Sequence, residues 1–214
     1  MKLKIQPLKG KNSRRELFKN GFLLFIASVT FFACNPNGTT NPIPLPPPCV
    51  PVNTDFQQLY TNVVNLAGHQ NTTSYDTEIH EYTFQLSANK TVCSVGYQSQ
   101  PAIAATAYLI EIVNASNTVV YSGNHIFSSA NTSYVAITPT PLLANQNYTV
   151  RRTILLVNAG NNFANIIGRL VNQPGALVSF PQSFGIMTIT GANFYQNGGP
   201  LINRGIPYID LTFF

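Results

Sequence analysis

A chain of 214 residues that is 44% hydrophobic holds one core of ordinary domain size plus a leader. Its formal charge of +5 sits at the front, where Lys2, Lys4, Lys9, Lys11, Arg14, Arg15 and Lys19 precede an apolar run. After Cys34 only Lys90, Arg151, Arg152, Arg169 and Arg204 stand against Asp55, Asp76, Glu78, Glu81, Glu111 and Asp210, five against six or about −1, so no basic stripe exists to neutralise phosphates and no nucleic-acid partner is expected.

In chain order, the basic residues 1–20 lead into Gly21-Phe22-Leu23-Leu24-Phe25-Ile26-Ala27-Ser28-Val29-Thr30-Phe31-Phe32-Ala33, an uncharged segment ending on a small residue. This is the layout of a secretory signal over 1–33, and it is shorter than the roughly 20 apolar residues of a membrane span. The junction Phe31-Phe32-Ala33-Cys34 resembles the lipobox of bacterial lipoproteins, with Phe31 and Phe32 where Leu and a small residue are usual. The resemblance implies that the Cys34 thiol takes a diacylglyceryl group, that the chain is cut before it, and that the new amino terminus is acylated, with palmitate for instance. Several acyl chains, each worth about 0.8 kcal/mol per buried CH₂, make such an anchor permanent. The alternative is an ordinary free or disulfide-bonded Cys34 behind a conventional signal. Ser13-Arg14-Arg15-Glu16-Leu17-Phe18-Lys19 also resembles the twin-arginine export motif with Leu and Phe exchanged, although adjacent arginines occur equally in leaders of the general route.

Residues 34–52 read as a tether. They carry no charge and include Pro44-Leu45-Pro46-Pro47-Pro48, so they favour an extended polyproline spacer. At about 3.1 Å per residue the 18 positions after Cys34 reach up to roughly 55 Å. Cys49 and Cys93 then either bridge the end of the tether to the folded part or leave Cys93 as a small buried hydrophobe with Cys49 free. Two cysteines without a matching His-Cys spacing do not make a zinc site.

From residue 53 to 214 the pattern is that of an all-β domain, a β-sandwich or jelly roll, with one short helix at its start. Phe56, Leu59, Tyr60, Val63 and Ala67 fall at helical spacing within Thr54–Gly68, Thr54 and Gln57 fit a capping box, and Gly68 offers a stop. A first strand containing Asn62–Leu66 is the alternative. Tyr82, Phe84 and Leu86 alternate along His80–Leu86, and Ser87-Ala88-Asn89-Lys90 then leads into Thr91–Ser99, which reads as a hairpin. Further strands are expected over 106–113, 118–122, 134–138, 147–157, 166–171, 183–190 and 208–214, with Asn114-Ala115-Ser116-Asn117 as a turn. Lipobox, proline tether and an Asn-rich, charge-poor β domain are together similar to many lipoproteins of the Bacteroidota, and the domain resembles extracellular jelly-roll domains in architecture alone. An exported, lipid-anchored envelope protein is what that similarity implies.

Few residues carry chemistry. Asp76, Glu78 and His80 would share one strand face as weak metal candidates, whereas Glu78 and Glu81 would lie on opposite faces, which weakens them as a glycosidase pair. His69, His80 and His125 are the available bases, no Gly-x-Ser-x-Gly elbow is present, and Ser122-Gly123-Asn124-His125 reads as a turn. The run Gly191–Pro200 reads as a connecting loop in which Asn193, Tyr195 and Asn197 offer a possible ligand contact. No cofactor motif and no catalytic constellation emerges. Two function classes remain: a non-catalytic module that binds a glycan or another envelope protein, and an anchored hydrolase of an envelope or extracellular polymer. Ten tyrosines and abundant asparagine favour the first, while the absence of tryptophan removes the strongest sugar-stacking side chain.

Overall fold

The computed structural model describes residues 48–75, 77–155, 166–196 and 199–214. Cys34 with its leader, most of the tether, Asp76 and Asn197 lie outside the described residues. Among the described residues no helix is long and apolar enough to cross a membrane.

The described chain is a β-sandwich with one α-helix, α1 (Asp55–Val64). Thr54 caps α1 by accepting the Gln57 amide at 3.0 Å, and Gln57 Oε1 accepts the Asn53 amide at 2.8 Å, one residue earlier than an ideal capping box. Phe56, Leu59, Tyr60 and Val63 turn inward, so the helical spacing is the packing face. The helix ends at Val64; Gly68, at φ 77°, serves the turn into β1 (Gln70–Tyr75) instead.

Thirteen strands follow. Beyond β1 they are β2 (Ile79–Leu86), β3 (Lys90–Tyr97), β4 (Tyr108–Asn114), β5 (Val119–His125), β6 (Ser133–Leu142), β7 (Tyr148–Ile154), β8 (Ile166–Asn172), β9 (Gln182–Phe184), β10 (Met187–Gln196), β11 (Gly199–Ile202), β12 (Ile206–Pro207) and β13 (Asp210–Phe213). The large sheet runs β11-β10-β2-β7-β4-β5 with β9 alongside β10; the others are β13-β3-β6 and β1-β8-β12. One apolar core joins Tyr82, Phe84, Ile110, Ile112 and Val150 of the large sheet to Val92, Val95 and Leu211 of the second sheet and to Phe56 and Leu59 of α1. The Tyr82 hydroxyl donates to the Ile209 carbonyl at 2.7 Å, which satisfies a phenol inside that core.

Four expectations change. β2 and β3 do not form a hairpin: β2 pairs with β7 and β10, while β3 pairs with β6 and β13. At the end of β2, Ser87 donates to Ile186 and Leu86 accepts from Asn145, so the backbone leaves the sheet and the turn crosses the sandwich. The segment 183–190 is two strands, because Gly185 at φ 57° opens a two-residue turn that pairs Phe184 with Met187. Ser122–His125 lies inside β5, and Gly191–Gln196 lies inside β10, so neither stretch is a loop there. The turn at Asn114 does form, with its Oδ1 accepting the amides of Ser116 and Thr118.

Cys49 and Cys93 are joined in a disulfide, which ties the segment before α1 to β3 across a sequence separation of 44.

Candidate functional site

The outer face of the large sheet gathers part of the sequence-predicted set. In β2 the even positions Tyr82, Phe84 and Leu86 are buried in the core, so Glu81 projects to the opposite face. Register places Asn193 of β10, Glu81, Arg151 of β7 and Glu111 of β4 in one row across four strands. Glu81 Oε2 accepts Arg151 Nε at 2.8 Å, and its Oε1 accepts Asn193 Nδ2 and the Tyr195 hydroxyl, each at 3.0 Å. The Glu111 carboxylate stands 3.9 Å from Arg151 on the other side. Burial and then the Glu81 charge raise the Tyr195 phenol above its ordinary pKa, which keeps it a donor to Glu81. Asn193 and Tyr195 are thus brought together, but as donors to an internal carboxylate. This row is a cross-strand clasp, since each strong group already has a partner of opposite character.

Of the weak metal candidates, Asp76 lies outside the described residues and Glu78 falls outside β2. Glu78 sits in the bend before β2, and His80 lies within β2 with its ring buried edge-on against Phe194 at 4.8 Å. Register sets His80 between Phe194 of β10 and the buried Arg152 of β7, so the imidazole is enclosed within the sheet. Among the described residues no group of three His, Cys, Asp or Glu side chains is positioned to hold a metal. His69 follows α1, and His125 bonds the Tyr121 hydroxyl at 2.6 Å over the bare backbone of Gly123. Arg152, the inward neighbour of Arg151, is fully buried between the rings of Tyr97 and Tyr108 and donates to the Thr77 carbonyl at 2.9 Å.

Two concave surfaces lie along α1. One groove of about 380 Å³ is lined by Asn53, Gln57, Gln58, Thr61, Asn62, Asn65 and Phe184. A second cavity of about 260 Å³ is lined by Gln57, Tyr60, Thr61, Val64, Asn71, Arg169 and Tyr208. Gln57 and Thr61 form a wall common to both. The groove contains no ionisable side chain and five amides, with Phe184 held 40% exposed at its rim by the β9–β10 turn. Uncharged amides supply paired donors and acceptors, and an open aromatic ring supplies an apolar face.

Beneath this surface a polar cluster sets the walls. Asp210 Oδ1 accepts Thr54 Oγ1 at 2.7 Å, and Oδ2 accepts Gln57 Nε2 at 2.9 Å and the Tyr134 hydroxyl at 2.6 Å. Burial raises the Asp210 carboxyl above the ordinary Asp value, opposed by these hydrogen bonds and by the Arg169 charge. Burial likewise raises Tyr60, Tyr134 and Tyr208, so all three phenols stay protonated. Gln57, fixed by its cap and by Asp210, is therefore a rigid wall. Tyr60 donates to Asn71 Oδ1 at 2.9 Å, which orients the Asn71 amide at the cavity edge.

None of Gln57, Tyr60, Asn71, Arg169, Phe184 or Tyr208 stands out as a ligand contact in the sequence, because they come from five separate segments. One signal does exist: Arg169 is the single charge in the otherwise apolar run Ile166-Ile167-Gly168-Arg169-Leu170-Val171. Searches against protein-family models and curated proteins return no match for this chain, so function must be argued from these surfaces.

Proposed function

We propose that this domain is a non-catalytic glycan-binding module, carried on a lipid-anchored envelope protein. The observation that supports it most is the groove along α1, where five amide side chains and an exposed phenylalanine ring converge without a charge. Sugars present dense hydroxyl groups and apolar C–H faces, and such a surface meets both. A rigid backbone behind it lowers the ordering cost of binding: α1 is capped at Thr54 and pinned through Gln57 to Asp210. Full-length protein in detergent micelles, applied to a printed glycan array, should retain a defined glycan set, and Phe184→Ala together with Asn62→Ala should abolish that retention. Retention of an envelope protein with no glycan retained would replace the reading by its protein-binding counterpart.

The anchor is supported by the Ala33-Cys34 junction and the proline-rich segment behind it. Cys34→Ser should shift the protein from the membrane to the soluble fraction. Membrane retention of a correctly cleaved mutant would overturn the anchor.

A further inference from the structure

The second cavity has a charge that its neighbour lacks: Arg169 joins amide, hydroxyl and aromatic side chains and the aliphatic Val64. We propose that this cavity binds a sugar residue bearing a carboxylate, with Arg169 as the group that holds the acid. The inference rests on the glycan reading above and names the class of glycan.

Three observations carry it. The Arg169 guanidinium lies 3.7 Å over the Tyr208 ring, and its Nη2 donates to Thr132 Oγ1 at 3.1 Å. Stacking fixes the plane of the fork, and a planar fork matches a carboxylate through two parallel N–H···O bonds. Next, no described carboxylate forms an ion pair with Arg169 within 4.0 Å. Asp210 is near enough for the two charges to influence one another, yet it is fully buried and its oxygens accept three hydrogen bonds from Thr54, Gln57 and Tyr134. Asp210 therefore sits behind the wall, and Arg169 is the charge on the cavity side. Lastly, about 260 Å³ lies below the roughly 300–1,000 Å³ of sites for drug-sized ligands, which fits a single sugar residue at a chain end. Asn71, whose amide is engaged only at Oδ1, stands within the same lining to meet ring hydroxyls, and the shared Gln57–Thr61 wall lets the rest of a saccharide extend toward the amide groove.

The test applies the full chain in detergent micelles to matched glycan pairs. A uronic-acid oligosaccharide is printed beside its neutral parent, and a sialylated glycan beside its desialylated form, with a sulfated sugar as a further probe. The acid member should bind about tenfold more tightly or better, the order of one charge-assisted hydrogen bond, and the margin should shrink as salt rises. Arg169→Gln should remove the margin, Arg169→Lys should recover only part of it, and Arg204→Gln, at an exposed position outside this cavity, should leave it intact. Equal binding of acid and neutral members would overturn the carboxylate while leaving the glycan reading in place, and so would a preference for sulfate over carboxylate. An acid preference that survives Arg169→Gln would overturn the assignment to this cavity. Failure to retain any glycan would overturn both readings. Should Arg169→Gln lose its near-ultraviolet circular dichroism, Arg169→Lys and Asn71→Ala carry the comparison, and an unchanged margin in both would overturn the cavity.

Discussion

At Glu81 three strands meet through one side chain. Its carboxylate is 6% exposed and accepts from β7 and twice from β10, whereas Glu111, 19% exposed, only approaches Arg151 at 3.9 Å. Removing Glu81 strands three donors, one of them a guanidinium, so Glu81→Ala should cost about 2–4 kcal/mol, between an exposed and a fully buried pair. Glu111→Ala should cost about 0–1 kcal/mol. Equal shifts in the urea midpoints of the two variants would refute this ranking. Asp210 yields a pH dependence with a definite sign. Its folded pKa lies above the ordinary Asp value of 3.8, so its stabilising contribution is complete below that value and is lost as pH rises through the folded pKa. The phenols facing it, Tyr134 and Tyr208, are raised further from that window. Asp210→Asn should cost about 1–3 kcal/mol at neutral pH by misplacing one of three donors. In acid-to-neutral unfolding series it should also remove a component in which the parent protein is steadier toward the acid side. Parallel pH curves for parent and variant would contradict the raised carboxyl.

Among the elements, turns decide which strands become neighbours. Gly185 takes φ 57° at the turn between β9 and β10, and the space around it is open, with Asp55 Oδ1 3.8 Å from where a Cβ would stand. Gly185→Ala therefore isolates backbone conformation from crowding and should cost about 1–2 kcal/mol. Gly185→Asn should recover part of the loss, since Asn tolerates the left-handed region. Thermal denaturation of the pair checks it; an equal loss in both would point to crowding. The same turn positions Phe184 at the groove, so Gly185→Ala links a fold defect to a binding one. The turn after β2 illustrates the opposite case, where a short polar stretch carries the chain between sheets. Leu86 and Val92 are both fully buried, as they would be at the two ends of a hairpin. Alternation along each strand is the same in either arrangement, so only the hydrogen bonds to Ile186 and Asn145 distinguish them.

For the molecule as a whole, the Cys49–Cys93 disulfide joins the chain entering the domain to β3, in the middle of the β13-β3-β6 sheet. Opening that link frees a long loop in the unfolded chain, so Cys93→Ser or reduction should lower stability by about 2–4 kcal/mol. Denaturant titration with and without reductant measures it, and an unchanged midpoint would show that the link contributes nothing. What the amino-acid order determined by itself was local: the β class, the helix with its Thr54 cap, the turn at Asn114 and the opposite orientation of Arg151 and Arg152 all follow from spacing along one segment. Which sheets the strands join, whether Asn193 and Tyr195 face a ligand or Glu81, and the convergence of Gln57, Tyr60, Asn71, Arg169 and Tyr208 on one cavity were decided by tertiary structure. The physical reason is distance along the chain. Periodicity reports which face of a strand or helix is buried, while the partner that buries it can come from the far end of the chain, as the Thr54–Asp210 hydrogen bond across 156 positions shows.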